Sequence, residues 1–123
     1  GLSPNTLAAF RFYLQGQKAE DAVAGPIREL LAIAEEQARL SQDSHNLGNQ
    51  RQILDQEQAR IQNNLDALPQ GPVADKLRKQ LVGQLETAAG KAAEVAKRLV
   101  ENEVKQAALN EKVIVLLRTI SLK

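Results

Sequence analysis

The sequence predicts an all-α protein: a long antiparallel two-helix coiled-coil hairpin with a short N-terminal helix packed at its base. Three observations lead to this prediction. Ala, Leu, Gln, Glu, Lys and Arg, which are good helix formers, dominate the chain. Aromatic residues make up only 2% of it, too few for the thick core of most globular domains. Apolar residues recur at heptad spacing on both sides of one breaker, LPQGP at positions 68–72.

The first helix is predicted over residues 4–15. Ser3 can cap its N-terminus, and Pro4 stands at the first helical position, where its missing N–H leaves no hydrogen bond unmade. Three apolar residues share one face: Leu7, Phe10 and Leu14. Gly16 is a suitable C-terminal stop.

The second helix is predicted over residues 18–68, with Pro26 expected to kink or restart it. An apolar series then repeats every seven residues: Leu40, Leu47, Leu54, Ile61 and Leu68. The intervening seam positions are Ser44, Arg51 and Gln58, which are polar. We therefore expect a hydrated seam in the middle of this helix.

The turn is predicted at residues 69–72 and the third helix over residues 73–121. Pro72 near the first turn and Asp75 close to the positive end of the dipole both favour a helix start. Apolar residues alternate spacings of four and three, interrupted only by polar Asn102 and Gln106: Leu81, Leu85, Ala88, Ala92, Val95, Leu99, Leu109, Val113, Leu116 and Ile120.

Folding the chain about Gln70 predicts which residues of the two long helices meet. Leu47 should face Ala93, and Leu40 should face Val100, so that large residues oppose small ones. The end of the chain, VIVLLRTISL, is apolar all round and needs a second covering element. The first helix, with Phe10 and Tyr13, is the local candidate.

The apolar residues exceed what one two-helix seam can bury, which predicts contact with a protein partner or self-association. A second hairpin alongside would give a four-helix bundle, and hence a homodimer. The interaction residues expected on this basis are Leu40, Leu47, Leu54, Ile61, Leu116, Leu117 and Ile120.

Composition argues against several other classes of function. The 16 basic and 15 acidic side chains are interspersed, so no nucleic-acid partner is expected. No apolar run is long enough to span a membrane. With no cysteine and one histidine, no metal or cofactor site is expected. Residues 1–123 form a single helical-hairpin domain, and the missing initiator Met suggests a fragment of a larger protein.

Two alternatives remain for the polar and charged residues. His45 could be a phosphoacceptor of a signalling hairpin: Asn49 fits the residue four positions on, but Asn46 stands where sensor kinases carry an acid. The basic residues of the third helix could contact RNA, although acidic residues interrupt them and no aromatic is available for stacking. No catalytic residue is predicted, because carboxylates on coiled-coil flanks are usually solvated.

The stretch LDQEQARIQNNLDALPQG, residues 54–71, resembles the coiled-coil segment of bacterial mucoidy-inhibitor-type proteins that carry a domain of unknown function. The matching residues are Gln58, Arg60, Ile61, Asn64, Leu65, Ala67, Leu68 and Pro69. The sequence after the turn, VADKLRKQLVGQLETAAG, departs from the family's Tyr-rich pattern. The resemblance implies a non-enzymatic structural or protein–protein interaction module in a bacterium, in the cytoplasm or periplasm. It implies no catalytic residues.

Overall fold

A computed structural model describes residues 2–16 and 23–121. These residues form three helices, α1 (Pro4–Gly16), α2 (Ala24–Asp66) and α3 (Pro72–Ser121), and contain no strand. The all-α prediction is confirmed, and α2 packs against α3 as a hairpin requires. The predicted start of the second helix at Lys18 lies outside the described residues.

The helix starts follow the local signals in the sequence. The Thr6 backbone N–H donates to Ser3 Oγ at 3.2 Å, and the Leu7 N–H donates to the Ser3 carbonyl at 3.0 Å. Ser3 therefore caps α1 as predicted. Pro26 lies in the first turn of α2, where a missing N–H is tolerated, and the Ile27 N–H donates to the Val23 carbonyl.

The turn between α2 and α3 depends on one glycine and one arginine. Gly71 has a φ of 132°, a conformation that side chains rarely adopt, and its carbonyl accepts the Asp75 N–H at 3.0 Å. Arg78 Nη1 lies 2.6 Å from Asp75 Oδ1, and its Nη2 donates to the Pro69 carbonyl at 3.0 Å. Arg78 thus ties the first turns of α3 to the loop that precedes it.

The chain divides into two compact units, and unit 1 comprises Gly1–Asp43 and Asn102–Lys123. It contains α1, the start of α2 and the end of α3. Its core is a cluster of Leu30, Ile33 and Val113, against which partly buried apolar residues pack: Leu2, Phe10, Leu109, Leu116 and Ile120. Phe10 of α1 therefore helps to cover the apolar end of α3, as the sequence predicted.

Unit 2 comprises Ser44–Glu101, which is the rest of α2, the turn and the start of α3. Its buried residues come from both helices at heptad positions: Leu47, Ile61, Ala74, Leu81, Ala88 and Val95. All of these except Ala74 belong to the seam series read from the sequence.

The pairing predicted from folding about Gln70 is wrong. Ala93 and Val100, the expected partners of Leu47 and Leu40, are exposed, whereas Asp43 reaches Asn102, further along α3 than predicted. The reason lies in the turn. Its non-helical residues carry the chain beyond the end of α2 by up to about 3.3 Å each. The helix α3 runs back in the opposite direction and rises only about 1.5 Å per residue. Several residues of α3 are therefore needed before it is level with the end of α2.

Candidate protein interaction surface

Three of the seven predicted interaction residues lie in the interior of the helix pair. Leu40, Leu47 and Ile61 are buried, and Leu47 is only 1% exposed. A second group is half-buried: Leu54, Leu116 and Ile120. Leu117 is exposed. The buried members stabilise the packing of α2 against α3, so an external partner can reach mainly Leu117 and the exposed part of the half-buried group.

The polar interruption of the α3 seam forms a hydrogen-bonded cluster within unit 1. Asn102, 5% exposed, donates from Nδ2 to Asp43 Oδ2 at 2.8 Å. Gln106 Nε2 donates to the Gln37 carbonyl at 2.9 Å and to Ser41 Oγ at 3.2 Å. Among the described residues, no buried side-chain polar atom lacks a partner. A buried amide that must meet a polar partner disfavours a shifted pairing of the helices, because any shift would leave it unsatisfied.

Residues considered for chemistry in the sequence stand in the solvent. His45 is exposed on α2, as are the paired carboxylates Asp55 and Glu57. Over residues 2–16 and 23–121, no group of three His, Asp or Glu side chains is placed to hold a metal ion.

The helix α3 carries a second apolar series on the side away from its seam. Since α3 is one unbroken helix of 3.6 residues per turn, residues that follow one another at spacings of three or four share a face. We call the following seven residues, all exposed, the outer face of α3: Ala93, Lys97, Val100, Val104, Ala108, Glu111 and Val115. Val100, Val104 and Val115 are 58%, 64% and 57% exposed. Together they form an apolar stripe with no covering element among the described residues.

Two charges interrupt the outer face of α3. Lys97 carries a positive charge on the N-terminal side of Val104, and Glu111 carries a negative charge on its C-terminal side. Neither forms an ion pair with another described residue, whereas Arg39 pairs with Glu36 and Arg78 pairs with Asp75. Both charges are therefore available to a partner helix.

The groove between α2 and α3 in unit 2 offers a smaller apolar surface. It has a volume of about 380 Å³ and is lined by Gln50, Ile53, Leu54, Lys91, Glu94, Val95 and Arg98. Ile53, 63% exposed, is the one large hydrophobic residue that α2 exposes. Its neighbours at helical spacing, Asn49, Gln50 and Glu57, are polar, so Ile53 is an isolated contact rather than part of a stripe.

The outer face of α3 was not among the predicted interaction residues. The sequence does contain the signal, because Val100, Val104 and Val115 keep a regular helical phase opposite the seam series. Two of its positions, Ala93 and Val100, were instead assigned to the seam through the incorrect pairing. Only the burial of each side chain separates the two series.

No described helix combines the length and the apolar character that a bilayer crossing requires. Comparisons with protein-family models, with curated proteins and with solved structures gave no match. The resemblance to the mucoidy-inhibitor-type coil stays a prediction, and any functional inference rests on the surfaces described above.

Proposed function

We propose that the chain is a non-enzymatic protein–protein interaction module, a coiled-coil helical hairpin that docks a protein through the outer face of α3. The observation that carries this proposal is the exposure of Val100, Val104 and Val115 on one face of a helix whose opposite face is already packed. Scattered exposed apolar residues are normal in soluble proteins, but a regular series along one helix is typical of an interaction surface.

The helix α2 covers only one of the two apolar faces of α3. A helix at the surface of a protein normally has one apolar stripe and one polar face. The first stripe of α3, with Leu81, Ala88 and Val95, is buried in unit 2. The outer face stays in the solvent. Association with another protein would remove its apolar area from water, at roughly 25 cal/mol per Å².

The inner seam suits a scaffold that keeps this face of α3 turned towards the solvent. Regular heptads on both helices support a coiled-coil hairpin, and the cluster of Asn102, Asp43 and Gln106 supports a single register of pairing. A fixed register keeps the same α3 residues exposed, which a specific docking surface requires. The resemblance to the mucoidy-inhibitor-type coil would make the hairpin one segment of a larger bacterial protein.

Photo-crosslinking at a single site tests the proposal. A diazirine amino acid is placed at Val104 on the outer face of α3 or, as the control, at Gln56, an exposed polar position of α2. We expect irradiation in bacterial cells to give a discrete adduct with a protein from position 104 and none from position 56. The absence of an adduct at 104, or equal labelling from both positions, would contradict the proposal.

A further inference from the structure

The order of residues on the outer face of α3 is symmetric about Val104. Reading outward in the two directions, Val100 and Ala108 lie four residues away, Lys97 and Glu111 seven, and Ala93 and Val115 eleven. In an antiparallel pair of identical helices, each residue on one side of the centre faces its counterpart on the other. Apolar residues would then face apolar residues, and each Lys97 would face a Glu111.

We propose that this face pairs with the same face of a second copy of the chain, antiparallel, about a twofold axis at Val104. The proposal rests on the proposed function and names its partner. Charge complementarity favours a second copy over an unrelated helix. The symmetry brings Lys97 opposite Glu111 twice, and neither residue forms an ion pair with any described residue of its own chain. The opposite-charge pairs also favour this alignment over shifted ones.

The size of the contact predicts a weak, reversible dimer. The stretch from Ala93 to Val115 is about 33 Å long at 1.5 Å per residue, and a helix is about 10–12 Å wide. Two such strips bury on the order of 800 Å² of surface in total, and flanking side chains add to this area. Interfaces of this size are typical of transient complexes. We therefore expect a dissociation constant of roughly tens to hundreds of micromolar.

Sedimentation equilibrium of the whole chain from about 5 to 500 µM measures this association. We expect wild type to move from monomer to dimer mass, and Val104→Glu, which places two carboxylates at the axis, to weaken dimerisation by roughly a hundredfold. Val73→Glu is the matched control, because Val73 is 92% exposed on α3 but lies off the outer face. A wild-type monomer at every concentration, or equal weakening by both substitutions, overturns the proposal.

Charge reversal tests the antiparallel alignment itself. Lys97→Glu and Glu111→Lys should each weaken self-association by roughly tenfold to a hundredfold, because two attractive pairs become repulsive. The double variant should restore wild-type association. A mixture of the two single variants should form heterodimers, since every facing pair is again opposite in charge. Single variants that associate as wild type does, or a double variant that stays as weak as the singles, would overturn this alignment.

A cysteine at the axis gives a readout that does not depend on affinity. The natural chain has no cysteine, so Val104→Cys introduces the only thiol. We expect mild oxidation to give disulfide-linked dimers of Val104→Cys far faster than of the Val73→Cys control. Equal rates would overturn the symmetric contact. An adduct from position 104 with a different protein, together with a monomeric wild type, would keep the proposed function and reject the second copy as its partner.

Discussion

The helices α2 and α3 have similarly regular inner faces and quite different outer faces. Of the large hydrophobic residues exposed in the described chain, α2 contributes Ile53 alone, whereas eight belong to α3, and three of these, Val100, Val104 and Val115, lie on its outer face. The outer side of α2 is rich in Asn, Gln and charged residues and suits contact with water. The comparison teaches that two helices sharing one seam can present different surfaces to the solvent, polar on α2 and partly apolar on α3.

The largest expected effect is a loss of unfolding free energy, which should differ between a buried and an exposed residue of α2. Leu47→Ala should lower the free energy of unfolding by about 2–5 kcal/mol, because it removes a fully buried side chain and leaves a cavity. Ile53→Ala should cost less than about 1 kcal/mol, since most of that side chain is already in water. Urea denaturation followed by circular dichroism measures both. Comparable losses would mean that Ile53 is covered in solution and that α2 also has a docking face.

A smaller effect on the free energy of unfolding is expected at the polar cluster that contains Asn102. Asn102→Ala should cost about 1–2 kcal/mol, because it removes the hydrogen bond to Asp43 and leaves space at a buried position. The control is Asn110→Ala, which removes an exposed hydrogen bond from Gln37 and should change stability by no more than about 0.5 kcal/mol. If both variants unfold at the same denaturant concentration, the cluster does not select the register.

The smallest expected effects on stability come from glycine substitutions, which compare α2 with α3 within one chain. Gly48 on α2 and Gly90 on α3 are interior helical glycines, and an added Cβ at either would meet no atom within 4 Å beyond the adjacent backbone of its own helix. Gly48→Ala and Gly90→Ala should each stabilise the chain by about 0.5–1 kcal/mol. Gly71→Ala should destabilise it, because its φ of 132° strains any side chain. Thermal melts of dilute protein measure all three; a loss at Gly90 alone would reveal a contact on α3 within one chain.

Much of the fold could be predicted from local signals. Ser3 and Pro4 start α1, LPQGP separates the long helices, and the predicted ends of α3 lie within one residue of those observed. Capping, proline and glycine effects act within a few residues of the chain, so the sequence is enough to place them. The seam series was also correct: Leu47, Ile61 and Val95 are buried as heptad spacing requires.

The register of pairing between α2 and α3 could not be placed in the same way. It depends on how far the turn carries the chain before α3 becomes level with α2. That distance depends on the backbone angles at Gly71 and on the contacts of Arg78 with Asp75 and Pro69. A small difference in rise at the turn changes every facing pair, which is why Val100 was expected in the seam and lies in solvent.

The sequence by itself therefore determined the helices, the turn and the identity of the inner seam, because periodicity and local hydrogen bonding specify them. The tertiary structure alone decided which residues of α3 lie level with which residues of α2. That register follows from the geometry of the turn and from polar partners such as Asp43 and Asn102, far apart in the chain.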